Sequence, residues 1–177
     1  QLWLDAGLDP GRISINIDSH TFNSADAYDQ IGRTVEVSGI SPHRVELEIP
    51  ESGLLEKSFD DEFWRLLVDM GFELSIDDFG IGESSLLRLK HLPVTTLKVD
   101  KSFVRDIETD EDNRIIIRTV VAMGQNLGVR VLVEGVERVS QLALLLEMGC
   151  DEAQGYLVSV PRPAGQIPSL LAVGPFK

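Results

Sequence analysis

Short apolar runs rich in Val and Ile alternate along the chain with longer stretches of helical period. Six runs read as strands, at residues 12–18, 44–49, 73–79, 95–100, 129–136 and 152–158. Near-continuous apolar strands are buried on both faces, which points to parallel sheet covered by helices. Residues 24–37 carry Ala25, Tyr28, Ile31 and Val35 at helical spacing. Residues 58–70 carry Phe59, Phe63, Leu66, Leu67 and Met70, with Ser58 and Asp61 placed like a capping box. A short helix over 84–91 is closed by Leu92-Pro93. Residues 112–127 carry Ile116, Val120, Met123 and Leu127 before Gly128; residues 139–148 carry Leu142, Leu145 and Leu146 before Gly149. Residues 1–7 read as the last two turns of a helix stopped by Gly7, with no helix beginning, as if cut inside a larger domain. The alternation defines an α/β chain, either an open doubly wound sheet or part of a (β/α)₈ barrel. No long linker divides it, and the tail from Pro161 holds four of the eight prolines.

Composition narrows the partners. The 177 residues fit one domain of about 150. With 43% hydrophobic and 25% charged residues, wholesale disorder is excluded. The net charge of −13 removes any bulk attraction for DNA, RNA or an anionic membrane face. A single cysteine, Cys150, excludes an internal disulfide framework and a cysteine-based zinc site, and fits a cytoplasmic protein. No apolar run approaches the ~20 residues of a membrane span.

The candidate chemistry lies in polar residues inside apolar strands. Asn16, Glu48, Asp77 with Asp78, Lys98 with Asp100, Glu134 and Gln154 each fall towards the C-terminal end of a strand. That end carries the active site in barrels and open α/β sheets. Glu48, Asp77, Asp78 and Glu134 would converge on one mouth, where mutual repulsion adds to the cost of burial. Lys98 can compensate only one charge. One or two divalent cations with hard oxygen ligands, Mg²⁺ or Mn²⁺, resolve the rest, and Asn16 adds a neutral oxygen. Such ions would also draw a phosphodiester into an acidic protein. His20, His43 and His91 share no ligand spacing, and the Gly80-Ile81-Gly82 loop lacks the third glycine of a dinucleotide fingerprint.

Taken in order, Ser14-Ile15-Asn16-Ile17, Glu46-Leu47-Glu48-Ile49-Pro50-Glu51-Ser52, Ile76-Asp77-Asp78-Phe79-Gly80, Leu97-Lys98-Val99-Asp100, Val133-Glu134-Gly135-Val136-Glu137 and Gln154-Gly155-Tyr156 resemble the EAL family of bacterial cyclic-di-GMP phosphodiesterases. The resemblance covers essentially residues 1–177, as a single partial domain. It implies a TIM-like (β/α)₈ barrel, with one strand antiparallel and about six of the eight strands present. It implies two Mg²⁺ or Mn²⁺ ions and hydrolysis of cyclic di-GMP to linear pGpG. By the same resemblance Asn16, Glu48, Asp77 and Glu134 are metal ligands and Asp78 binds the second ion. Glu134 is also the general base, Lys98 orients or polarises the attacking water, and Asp100 and Glu137 support the site. Gln154 lies near the substrate, and Glu51 anchors the loop after Asp77-Asp78.

The chain also departs from the family pattern. The Glu-Ala-Leu motif is absent, Ile81 and Glu83 replace a usual Thr and aromatic, and Pro50 replaces a Thr. An incomplete barrel exposes two sheet edges, which leads us to expect a homodimer or other self-association. Upstream signalling domains, or a membrane anchor in the parent protein, are compatible with this reading. The alternatives are a catalytically inactive cyclic-di-GMP receptor or protein-interaction module, and an unrelated barrel enzyme that stabilises an enolate on Mg²⁺.

Overall fold

The computed structural model describes residues 2–17, 27–55, 61–82 and 86–173. Six strands, β1 (Ile13–Asn16), β2 (Val45–Pro50), β3 (Glu73–Phe79), β4 (Thr96–Val99), β5 (Arg130–Val133) and β6 (Glu152–Ala153), form one sheet in sequence order, every pair parallel. Among the described residues eight α-helices accompany them: α1 (Leu2–Asp5), α2 (Ala27–Ser38), α3 (Asp61–Asp69), α4 (Leu86–Leu89), α5 (Ser102–Arg105), α6 (Glu111–Leu127), α7 (Val139–Met148) and α8 (Ile167–Val173). A doubly wound sheet reverses its strand order at a switch point. This sheet has none and curls as a half-barrel, which decides between the two architectures open from the sequence. The antiparallel strand implied by the resemblance is not among the six described.

Period-two alternation divides the strands. Leu47, Ile49, Leu74, Ile76, Leu97, Val99, Val131 and Val133 are buried on the outer face. They join one core with Phe63, Trp64 and Leu67 of α3, Ile117, Val120 and Val121 of α6, and Leu145 of α7. The opposite face carries the polar residues. Two expected helix stripes are rotated. On α6 the buried set is Ile117, Val120, Val121 and Gly124, and Leu127 is exposed. The added Cβ of an alanine at Gly124 would overlap Val131, so this glycine sets how closely α6 lies on β5. On α7 Leu145 is buried while Leu146 faces outward. Helix ends follow the expected chemistry: Asp110 caps α6 through the amides of Asp112 and Asn113, and Gly128 and Gly149 close α6 and α7 at φ of 72° and 81°. Ala25, Ser58, Phe59, His20 and Glu83 lie outside the described residues.

The last two strands are shorter than their apolar runs. After Val133 the chain turns at Gly135 (φ 73°), and Val136 leaves the sheet to donate to the Gln154 carbonyl and accept from the Leu157 amide. The strand expected over 152–158 therefore ends at Ala153 and gives way to a turn. Gly155 permits this closure, because a Cβ there would overlap the Val136 backbone nitrogen and oxygen. Backbone cannot yield as a flexible side chain does. Gly155→Ala is expected to destabilise the chain by about 3 kcal/mol, as forced overpacking does. Urea unfolding checks this, and an unchanged midpoint would show that the two turns separate freely.

Candidate active site

Glu48, Asp77, Lys98 and Glu134 come from four adjacent strands or strand ends and meet on the inner face. Lys98, 3% exposed, stands at the centre, with its Nζ 2.5 Å from Glu48 Oε1, 2.7 Å from Glu134 Oε1 and 3.3 Å from Asp77 Oδ1. Burial alone would push the Lys98 ammonium down. The hydrogen bonds and charges of Glu134 and Glu48 outweigh that and hold it well above the usual lysine range. Glu134 is also raised, and here burial is the larger cause. Burial, with the charges of Asp77 and Glu48, raises its carboxyl above the ordinary range despite the Lys98 hydrogen bond.

A β-bulge falls at Asp77 and Asp78, adjacent in one strand. Ile76 pairs with Leu97, but Phe79 pairs with Val99, so β3 carries one extra residue opposite Lys98. Asp78 sits there at φ 54°, the one non-glycine residue with positive φ among the described residues. A bulge of this kind re-aims a side chain that regular pleating would send to the far face. Asp78 is exposed, and partial burial with the charges of Asp77 and Asp100 raises its carboxyl.

The remaining sequence candidates sit around this group. Asn16 pairs in register with Glu48 on the neighbouring strand and is exposed. Gln154 follows β6, held by its backbone to Val133 and Val136, with its side chain exposed. Asp100 is buried and accepts from the Ser102 amide at 2.8 Å, so it shapes the start of α5. Glu137 is exposed, and its amide donates to Gln141 Oε1. Glu51, 3% exposed, accepts from the amides of Gly80 at 3.0 Å and Gly82 at 2.8 Å through Oε2. That pair of bonds ties the loop after the two aspartates to the end of β2. Burial pushes the Cys150 thiol up to about 11, which leaves it protonated and unreactive.

Sequence reasoning missed a second polar layer, nearer the N-terminal ends of the strands. Arg12 and Arg130 share Glu46, Glu73 and Glu152 there, with Thr96 and Ser14 donating to Glu46. The available signal was polar residues two positions before the site residues, as in Glu46 and Glu48 or Thr96 and Lys98. Burial raises Glu73, but hydrogen bonds from Arg130 and Arg12 outweigh it and lower its carboxyl. A lowered folded value contributes stability above the ordinary carboxyl range and loses it as pH falls through the folded value. Acid titration is therefore expected to narrow the stability gap between wild type and Glu73→Gln until the two coincide, read by urea unfolding at stepped pH. A gap that widened on acidification would contradict the assignment.

Among the described residues no three carboxylate, imidazole or thiol side chains are grouped as a metal cage, because Lys98 takes the focus. The donors nevertheless fit a hard divalent cation. They are carboxylate oxygens, and Asp77 Oδ1 is buried within ion-pair reach of Lys98 yet has no hydrogen bond.

A parallel half-barrel with acids and a lysine converging on its inner face has its candidate site where barrel active sites lie, at the C-terminal ends of the strands. The EAL-domain profile matches residues 1–161, and the chain belongs to the EAL-domain family. It is 35% identical over 168 residues to the bifunctional diguanylate cyclase/cyclic di-GMP phosphodiesterase MucR of Pseudomonas aeruginosa, covering 94% of this chain and 24% of MucR. It is 38% identical to the cyclic di-GMP phosphodiesterase NbdA of the same species, over 94% of this chain and 21% of NbdA. The chain thus spans less than a quarter of either relative. The solved MucR phosphodiesterase, in complex with c-di-GMP, superposes with a TM-score of 0.86 at 36% identity, over 94% of this chain and 68% of that one. The manganese and cy-diGMP complex of Klebsiella pneumoniae BlrP1 superposes at 0.78 with 30% identity, over 85% of this chain and 39% of that one. Among the described residues no helix is long and apolar enough to cross a membrane.

Proposed function

We propose that this domain hydrolyses one phosphodiester of cyclic di-GMP to linear pGpG in a reaction dependent on Mg²⁺ or Mn²⁺. The observation that carries the reading is the convergence of Glu48, Asp77 and Glu134 on Lys98, in a fold whose relatives carry this activity in their names. Asn16, Glu48, Asp77 and Glu134 would hold one ion, and Asp78 would hold the second. Bound there, such ions supply Lewis acidity and counter-charge for the phosphate.

The chain's own residues do the rest. Glu134, with its carboxyl raised by burial, accepts a proton from the attacking water. Lys98 keeps its charge, orients Glu134 and Glu48, and stabilises negative charge growing on the phosphate. Glu51 holds the loop that carries Gly80 and Gly82 beside the aspartates. Asp100 and Glu137 support the walls, and Gln154 faces the substrate.

Self-association belongs to the same proposal, since β1 and β6 each pair on one side only among the described residues. The reading is tested by thermal unfolding with Mn²⁺, Mg²⁺ and cyclic di-GMP. Either metal is expected to stabilise the chain, by about 2.7 kcal/mol at a hundredfold excess over Kd. The nucleotide adds a further shift. No shift with either metal or with nucleotide would refute it.

A further inference from the structure

The ionic layer beneath the site has a geometry that neutralisation alone does not require. Arg12 lies directly before β1, and Glu152 opens β6, so they belong to the two opposite edges of the sheet. One guanidinium joins them. Arg12 donates through one terminal nitrogen to Glu152 Oε1 at 2.8 Å and through the other to Glu73 Oε2 on β3, also at 2.8 Å. Arg130 closes the remaining side, 2.7 Å from Glu73 Oε2 and 3.5 Å from Glu152 Oε1. Glu46, 2% exposed, accepts from Ser14 and Thr96 beneath both guanidiniums. Every strand or its leading residue therefore contributes to one ring of side chains, and the ring bridges the gap that backbone pairing leaves open. Asn16 ends β1 and Gln154 directly follows β6, so both stand beyond this ring towards the strand C-termini.

We infer that Arg12 is a positioning residue. Its forked guanidinium ties the two outermost strands of the described sheet together and thereby sets the span of the mouth between Asn16 and the Glu134 side. The fork is the essential property. A lysine can neutralise either carboxylate as a point charge, but it has no rigid fork matching two acceptors on separate strands. What the ion layer adds is a fixed direction and length between the edges.

The test uses Arg12→Lys and Arg12→Met, with spin labels at exposed Val37 on α2 and Leu146 on α7 in a Cys150→Ser background. Pulsed electron resonance reads the distance across the curl. Both variants are expected to lengthen and broaden it, while Arg12→Lys keeps a near-native thermal midpoint. The activity arm rests on the phosphodiesterase reading and the distance arm does not. In that arm kcat/KM falls about a hundredfold in both variants, the effect of a small misplacement of reacting groups. A lysine variant with the wild-type distance overturns the inference by reducing Arg12 to a counter-charge. Wild type lacking turnover, with the distance change intact, would sink the phosphodiesterase reading and leave the clamp standing. An unfolded Arg12→Lys chain would also overturn it, because retained charge would then have failed to keep the fold.

Discussion

Glu134→Gln is expected to abolish most turnover of cyclic di-GMP while nucleotide affinity stays close to that of the parent. The amide is nearly isosteric, and its oxygen can still accept from Lys98, which stands 2.7 Å from Glu134 Oε1. What the substitution removes is basicity. A positioned general base contributes about 10²–10⁴-fold to the rate, so kcat should fall by at least that range. Loss of a carboxylate donor to a cation would deepen the fall. Burial raises the Glu134 carboxyl above its ordinary value, which makes it a stronger base. Product chromatography gives kcat, and calorimetry gives nucleotide affinity. If affinity collapses along with rate, Glu134 is chiefly a binding or structural residue.

Lys98→Met is expected to have the largest effect on stability. Lys98 is 3% exposed and bonds Glu48 and Glu134, whose side chains are 7% and 20% exposed. Methionine keeps the bulk and removes the charge, leaving clustered carboxylates with no cation among them. Removing one partner of a buried ion pair costs about 3–5 kcal/mol, because the charge left behind is neither solvated nor compensated. The cost should shrink when Mn²⁺ is added, since a divalent ion at the same acids replaces the missing positive charge. Urea unfolding with and without Mn²⁺ measures both effects. A metal-free Lys98→Met chain as stable as wild type would mean that the acids are relieved by water or protons rather than by the lysine.

Much of this was legible from residues alone, for identifiable reasons. Strand–helix alternation gave the order of elements, and Glu73–Phe79 and Val139–Met148 have the bounds that periodicity predicted. Polar residues in apolar strands are costly, so Glu48, Asp77, Lys98 and Glu134 stood out before any geometry was known. The curl was not legible from periodicity, because an open sheet and a barrel share the same local pattern; it came from the ordered motifs through the family resemblance. Nor was the bulge at Asp78 read, although the apolar phase of Leu74 and Ile76 shifts by one residue to Phe79 across Asp77-Asp78. The end of β6 at Ala153 depends on Gly155 meeting Val136, a contact between distant parts of the chain. The layer of Arg12, Glu46, Glu73, Arg130 and Glu152 escaped because each residue by itself reads as an ordinary charge near a strand start.

The central claim is metal-dependent hydrolysis at the Glu48, Asp77, Lys98 and Glu134 group. Its most direct test is incubation of the chain with cyclic di-GMP and Mn²⁺ or Mg²⁺, with products separated by chromatography. The account predicts linear pGpG as the product, formed with either metal, abolished by chelation and lost in Glu134→Gln. Nucleotide that is bound but never cleaved with either metal would contradict it and make the domain a receptor.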